Sequence, residues 1–237
     1  MFTLRRAKER RHVRRHGREE WRTFYPEPRA NPLAGGFGSL EGLSEDRLPP
    51  GAEIAIHSRA DAEILTYVLE GTLAYEDATG RSAIVHAGEF QRMTVGRSVR
   101  HSETNASRTD WAHVFQMRLH LADGGLEPSR EQKRFYTAER RGTLCVVASQ
   151  DGRNGSLRIR QDAMIFSAML GTGQHVIHEL AHGRSAWLHV VRGEAALGDV
   201  LLGAGDGVGV TADRAVSLTA REGTEILLLD LGEWRAP

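Results

Sequence analysis

Two short motifs carry residue types that bind metals in proteins, at a spacing that can bring them together. His57 and Arg59 stand two residues apart in the first motif, with Glu63 after them, and His101 and Glu103 stand two residues apart in the second. Side chains two apart on a β-strand point to the same face. If the two strands line one barrel, two imidazoles and a carboxylate meet at one interior point, as in a non-haem Fe(II) centre.

Arg59 is the unusual member of this group, because its guanidinium is a permanent cation that offers only N–H donors. At an effective dielectric of about 20, opposite unit charges a few ångströms apart attract each other by about 4 kcal/mol. Arg59 can therefore swing into the metal position and neutralise Glu103, whose carboxylate fits the guanidinium fork. Alternatively, its long side chain points out of the barrel mouth and leaves His57, His101 and Glu103 as a three-ligand site.

Runs of Val, Ile and Leu interrupted by Gly or Asp predict β-strands and turns in both halves of the chain. The predicted strands of the first half are 53–57, 64–70, 71–76, 82–86, 89–94 and 113–121. Those of the second half are 144–149, 156–161, 164–170, 175–180, 187–192, 194–198, 207–211, 215–219 and 225–231. A polar stretch with a helix-prone part at 129–134 separates the two sets. We therefore expect an all-β protein with an N-terminal unit at 1–125, a linker at 126–141 and a C-terminal unit at 142–237.

The two halves resemble each other. Residues 68–74 are similar to 190–196, and 87–89 are similar to 204–206, which predicts two tandem copies of one β-fold. Counting on from the second match places His101 opposite Leu218 and Glu103 opposite Ala220, so only the N-terminal copy can hold the site. The second half contains four clustered histidines, but no carboxylate at ligand spacing accompanies them, and no second metal site is expected: His175, His178, His182 and His189.

Charge and cysteine content set limits on partners and location. Acidic and basic residues balance at 31 each, so net charge argues for neither nucleic acid nor a membrane surface. Residues 1–22 carry nine Lys/Arg against three Glu, which indicates a solvated, partly paired surface or else a contact with RNA, DNA or an acidic partner. The single Cys145 excludes an internal disulfide, and no export signal or membrane-length apolar run is present, so we expect the cytoplasm.

The motif spacing resembles that of a known superfamily. The order Gly51, His57, Arg59, Glu63, Gly71 and then Gly88, Gly96, His101, Asn105 is similar to the two cupin motifs. More specifically, the chain resembles the pirin family, with similarity running from 4–10 through 63–72, 87–93 and 99–103 to 131–135 and 151–162. This resemblance implies a bicupin, in which two tandem double-stranded β-helix barrels follow each other.

The resemblance also implies a chemistry. Pirins hold iron or another divalent metal through His-x-His and His-x-Glu, and some members oxidatively open flavonols such as quercetin. Carried over, the metal ligands are His57, His101 and Glu103, with iron the expected metal and Glu103 also the base for a substrate hydroxyl. Arg59 stands where the family has its second histidine. The pattern also expects Pro at Ser58 and Met at Ala62.

Three functions follow as hypotheses. The first is a metal-dependent dioxygenase of quercetin-like flavonols whose metal site is compromised by Arg59. The second is a metal-free protein that binds or senses a small ligand, such as an anion at Arg59, or has a regulatory role. The third is an interaction with an unidentified protein partner through the basic segment 1–22.

Overall fold

A computed structural model describes residues 1–26, 31–54, 62–77, 80–95, 101–121 and 126–233. Its N-terminal part forms β1 (Phe2–Arg5), β2 (Arg11–Arg15), β3 (Arg18–Arg22), β4 (Leu40–Leu48), β5 (Glu53–Ile54), β6 (Ala62–Glu70), β7 (Thr72–Asp77), β8 (Ser82–His86), β9 (Glu89–Val95), β10 (His101–Asn105), β11 (Ala112–His120) and β12 (Ser129–Arg134). Short 3-10 helices lie at Ala7–Glu9 and Arg153–Gly155, and α1 spans Thr137–Arg140.

The C-terminal part continues the all-β pattern. Its strands are β13 (Cys145–Ser149), β14 (Leu157–Arg158), β15 (Ala163–Leu170), β16 (His175–Glu179), β17 (Ser185–Arg192), β18 (Glu194–Leu197), β19 (Val200–Gly203), β20 (Gly207–Val210), β21 (Ala215–Ala220) and β22 (Thr224–Leu231). Within the described ranges, no helix combines the length and the apolar character needed to cross a membrane.

Four sheets build two barrels, as the sequence predicts. The N-terminal barrel combines the sheet β12-β9-β6-β11-β4-β3-β2 with the sheet β5-β10-β7-β8. The C-terminal barrel combines β1-β20-β17-β22-β15-β13-β14 with β16-β21-β18-β19. Each barrel has its own apolar interior, and the two seven-stranded sheets face each other across a third core that includes Phe90, Phe115, Trp187 and Leu229.

Each barrel includes one edge strand that lies outside the part of the sequence predicted to form that barrel. β1 at the N-terminus pairs with β20 of the C-terminal barrel, and β12 pairs with β9 of the N-terminal barrel. The helix-prone 129–134 is therefore a strand, because six consecutive residues align with the open edge of β9. The division into 1–125, 126–141 and 142–237 stays a prediction for the folding units, while strand pairing crosses these boundaries twice.

The sequence repeat corresponds to the same tight turn in both barrels. Gly71 joins β6 to β7 with a φ of +75°, and Gly193 joins β17 to β18 with a φ of +78°. A Cβ would lie 2.5 Å from the Trp111 carbonyl oxygen at Gly71 and 2.2 Å from the Gly223 carbonyl oxygen at Gly193. Both positions therefore require glycine for its backbone conformation and for the close approach of the residues that lead into β11 and β22.

The strand register corrects the residue equivalence between the barrels. Asn105 pairs with Leu73, and Ala220 pairs with Ala195, so Glu103 corresponds to Leu218. By the same count His101 corresponds to Val216, two residues away from the sequence match, because the connection that follows 204–206 is shorter. The conclusion drawn from the sequence is unchanged, since Val216, Leu218 and Ala220 are buried and apolar.

The basic segment 1–22 is largely paired with acidic side chains. The ion pairs are Arg6–Asp206 at 2.7 Å, Arg10–Glu45 at 2.7 Å, Arg14–Glu19, Arg18–Asp46 at 2.6 Å and Arg22–Glu20 at 2.5 Å. Much of the local positive charge therefore serves the fold. A contact of this segment with a protein partner stays a prediction.

Two equivalent polar clusters are buried between the barrels. In the Arg140 cluster, Arg140 Nη1 donates to the hydroxyls of Tyr67 at 3.0 Å and Ser167 at 3.2 Å, and to Glu225 Oε1 at 3.0 Å. The Tyr67 hydroxyl donates to the same Glu225 oxygen at 2.5 Å. Burial raises the pKa of Tyr67, which keeps this hydroxyl protonated as a donor.

The Arg10 cluster occupies the equivalent position next to the C-terminal barrel's turn at Gly193. Arg10 Nη1 donates to Glu45 Oε2 at 2.7 Å, and His113 Nε2 lies 2.8 Å from Glu45 Oε1. His189 takes the position of Tyr67, four residues before the glycine of the turn, and is fully buried. Neither of its ring nitrogens has a hydrogen-bond partner among the described residues.

His189 is expected to make the protein sensitive to acid. Burial lowers its pKa to about 3, so the unfolded chain takes up this proton more readily than the folded protein. Its contribution to stability is complete above pH 6.5, the usual value, and is lost as the pH falls towards the folded pKa. Between pH 6.5 and 4.5 the loss amounts to about 2 to 3 kcal/mol. We expect His189→Phe to remove this part of the slope when urea unfolding is measured across that range.

The control is His182→Gln, because His182 is exposed. It should leave the pH dependence unchanged. Equal slopes for wild type and His189→Phe would contradict the assignment to His189.

Candidate metal centre

The second predicted motif lies on one strand of the N-terminal barrel. His101 and Glu103 are both in β10, where His101 pairs with Asp77 and Glu103 with Tyr75 of β7. Their separation by two residues puts them on the same face of this strand. His57 and Arg59 lie outside the described residues, so their position relative to β10 stays a prediction.

Glu103 is a buried carboxyl group with one oxygen held and one oxygen available. Gln116 Nε2 donates to Glu103 Oε2 at 2.6 Å, while Oε1 has no hydrogen-bond partner among the described residues. Burial raises the pKa of Glu103 to about 7, the Gln116 hydrogen bond opposes the shift, and Asp46 adds to it. A carboxylate in this setting is stabilised by a nearby cation, either a metal ion or a guanidinium.

His101 stands at the wall of a cavity of about 640 Å³. Its ring stacks on Tyr75 with a centroid distance of 5.6 Å, and the guanidinium of Arg130 lies 5.2 Å from the centroid of Tyr75. The volume is typical of small-molecule sites. The wall combines apolar, aromatic and charged side chains: Tyr75, Asp77, Arg81, Met93, Thr94, Val95, His101, Glu127, Pro128, Ser129 and Arg130.

Comparison with known proteins places the chain in a family. The Pirin family model matches residues 5–119, and the model described as the quercetinase C-terminal cupin domain matches residues 146–231. Over 231 residues the chain is 35% identical to a protein named quercetin 2,3-dioxygenase from Escherichia coli K12, covering 98% of this chain and 99% of the relative. The chain belongs to the pirin family.

Solved structures agree with this assignment. YhhW from Escherichia coli superposes with a TM-score of 0.92 at 34% identity, with all of both chains covered. A nickel(II) complex of bacterial pirin YhhW superposes with a TM-score of 0.90 at 35% identity, covering 98% of this pirin and 100% of YhhW. The bicupin architecture predicted from the sequence is thus confirmed.

Glu63 has a different role in this pirin from the one its place in the motif suggests. It is fully buried on β6, where its Oε1 accepts from Thr94 Oγ1 at 3.1 Å and its Oε2 from the backbone N–H of Arg160 at 2.9 Å. Arg92 Nε lies 3.6 Å from Oε1. Glu63 therefore ties the N-terminal barrel to the segment that enters the C-terminal barrel.

A three-ligand site in this pirin requires a residue beyond the described ranges. Among the described residues no group of three or more His, Cys, Asp and Glu side chains has a geometry that could hold a metal. His101 and Glu103 supply two donors of the expected types, and His57 is the residue predicted to supply the third. In the C-terminal barrel, His178 Nε2 lies 2.7 Å from Asp230 and His175 Nε2 lies 2.8 Å from Ser217.

Gln116 is the contact of the site that the sequence motifs did not reveal. It lies on β11, whose other residues near this point are mostly apolar and buried. A polar amide in such a strand is a weak signal, because many core strands contain one satisfied polar residue. Only the packing of the sheet that contains β11 against the sheet that contains β10 brings Gln116 within reach of Glu103.

Proposed function

We propose that this pirin is a metal-dependent dioxygenase of quercetin-like flavonols whose metal site is weakened by Arg59. The supporting observation is the buried Oε1 of Glu103, which has no hydrogen-bond partner among the described residues and belongs to the same strand as His101. These donors fit a divalent ion, with His57 as the third ligand. The relative named quercetin 2,3-dioxygenase and the nickel(II) complex of YhhW add support.

The residues around Glu103 and His101 have separate roles. Gln116 fixes Oε2 of Glu103, which leaves Oε1 to ligate the metal or to accept the proton of a substrate hydroxyl. Tyr75 supports the ring of His101, and Met93 and Val95 line the cavity and exclude water from its apolar wall. The metal, when bound, supplies Lewis-acid and redox chemistry for the reaction with dioxygen.

Elemental analysis of protein purified without chelator or metal-affinity tag tests the proposal. We expect less than one metal ion per chain as purified, saturation when Fe(II) or Ni(II) is added in excess, and quercetin consumption that rises with occupancy. His101→Ala should lose both the metal and the activity. Saturation with metal but no loss in His101→Ala would contradict this site.

A metal-free binding protein is the second candidate function. The replacement of the family's second histidine by Arg59 favours it, because a guanidinium repels a divalent ion and can neutralise Glu103 in its place. In that case excess Fe(II) or Ni(II) should leave the protein unloaded. The cavity beside His101 would then serve a small ligand without oxidation.

Glu103→Gln separates the two arrangements of Arg59 in metal-free protein. If Arg59 pairs with Glu103, the substitution leaves a guanidinium without its partner, and the free energy of unfolding should fall by roughly 1 to 3 kcal/mol. If Arg59 points outward, the substitution removes a buried carboxyl group that has no cation beside it, and stability should hold or rise. Urea unfolding at pH 8 measures the difference, with Glu76→Gln on the neighbouring strand as control.

A further inference from the structure

Two further cavities open between the two barrels, and their lining includes neither His101 nor Glu103. One has a volume of about 290 Å³ and the other of about 580 Å³. They adjoin each other, since Thr137, Met169, Arg192 and Glu225 line both. We call them together the inter-barrel cleft. Its walls come from both barrels and from α1, and all its lining residues are described.

The charge of the inter-barrel cleft is strongly unbalanced. Four guanidinium groups line it, those of Arg134, Arg140, Arg141 and Arg192, against a single carboxylate, that of Glu225. Glu225 is already engaged by Arg140 and Tyr67. The lining therefore has an excess of positive charge in a concave surface, which favours an anion.

Intramolecular partners leave much of this donor capacity unused. Arg141 has no hydrogen bond or ion pair from its side chain among the described residues, and buried Arg140 has no acceptor there for its Nε. Arg134 reaches Glu89 only at 3.4 Å. Arg192 pairs with Glu70, but both side chains are about half exposed, so water screens this pair.

The repeat supplies an internal comparison for the open space. Gly88 and Gly205 occupy equivalent turns in the two barrels. Gly88 precedes β9 on the side of the Arg140 cluster, and Gly205 precedes β20 on the side of the Arg10 cluster. A Cβ on Gly205 would lie 2.5 Å from Arg10 Nη2, so the Arg10 side is filled by the chain itself. A Cβ on Gly88 would meet nothing within 4 Å. Of these two equivalent places, only the one on the Arg140 side therefore has open space.

We propose that the inter-barrel cleft binds a small organic polyanion through its phosphate or carboxylate groups. Guanidinium groups bind both kinds of group in a bidentate manner. Arg192 approaches from the C-terminal barrel and Arg134 from the strand added to the N-terminal barrel, so one polyanion contacts both barrels. This site is separate from the proposed metal centre and does not depend on it.

Isothermal titration calorimetry measures the affinity of metal-free full-length protein for pyrophosphate and for citrate and so tests the site. Metal-free protein is needed because both probes chelate metals. We expect binding of at least one probe at millimolar concentration or below, weakened about tenfold by Arg141→Gln and again by Arg192→Gln. Preference for pyrophosphate would indicate a phosphate ligand, and preference for citrate would indicate a carboxylate ligand. A rise in melting temperature with the bound probe should disappear in the double variant.

Two further variants make the result specific. Arg15→Gln, at an exposed site on the edge strand β2, should bind the probes as the wild type does. Arg130→Gln removes a guanidinium from the cavity beside His101. Binding that is lost in Arg130→Gln but kept in Arg141→Gln would overturn the proposal. The absence of binding of both probes at a concentration of about 10 mM would also overturn it.

Discussion

Arg59→His is expected to raise metal binding from partial occupancy to one tightly bound ion per chain. The imidazole donates a lone pair where the guanidinium offers only N–H groups, and the substitution also removes a fixed positive charge close to a dication. Changes around metal ligands commonly alter affinity by 10- to 100-fold, and we expect an added ligand to give about a hundredfold or more. Competition with a chromogenic chelator measures the affinity, and elemental analysis measures the stoichiometry.

The matched control for this gain is Arg130→His, which adds an imidazole to the cavity beside His101 without placing it in the first motif. It should leave the affinity close to that of the wild type. Quercetin oxidation should rise in Arg59→His only if the cavity also accepts the substrate. A wild-type protein that already binds one metal tightly through His57, His101 and Glu103, with Arg59 turned outward, would contradict the role given to Arg59.

Arg140→Met is expected to cause the largest loss of stability. The methionine side chain fills part of the same space but leaves Glu225, which is 4% exposed, buried with no cation beside it. Removing one partner of a buried ion pair typically lowers the free energy of unfolding by about 3 to 5 kcal/mol. Chemical denaturation followed by tryptophan fluorescence measures the change.

A second substitution tests the reason for this loss. Combining Arg140→Met with Glu225→Gln removes the orphaned charge, so the double variant should recover part of the stability. Exposed Arg15→Met serves as the control and should change the free energy of unfolding by less than about 0.5 kcal/mol. A loss below about 1 kcal/mol for Arg140→Met would show that Glu225 finds another partner or reaches water.

Much of the fold follows from local patterns in the sequence, and the exceptions have a common cause. The apolar strands of both barrels and the glycine turns at Gly71 and Gly193 carry clear signals. The charged strands β2 and β3 do not, because Arg11–Arg15 and Arg18–Arg22 lack alternating apolar residues. They form because β4 offers an edge for pairing and because buried acids such as Asp46 receive their arginines.

The site divides in the same way. His101 and Glu103 share one strand, as the two-residue spacing argument requires, although no apolar run marks a strand at 101–105. The spacing of residues within one strand cannot predict which side chains from other strands or loops they contact. Glu63 contacts Arg160 and Gln116 contacts Glu103 because distant parts of the chain pack together, and such packing leaves little trace in the local sequence.

The pairing of β1 with β20 has a consequence for synthesis on the ribosome. Phe2 is aligned with Val210, so β1 is synthesised long before the strand with which it pairs. At roughly 5 to 20 residues per second, this delay is on the order of 10 to 40 s. The N-terminal barrel can close its large sheet once β12 has emerged, well before β20 is made. The C-terminal barrel, by contrast, can be completed only after β22 has left the exit tunnel, and until β20 emerges the edge of β1 stays open to other nascent chains.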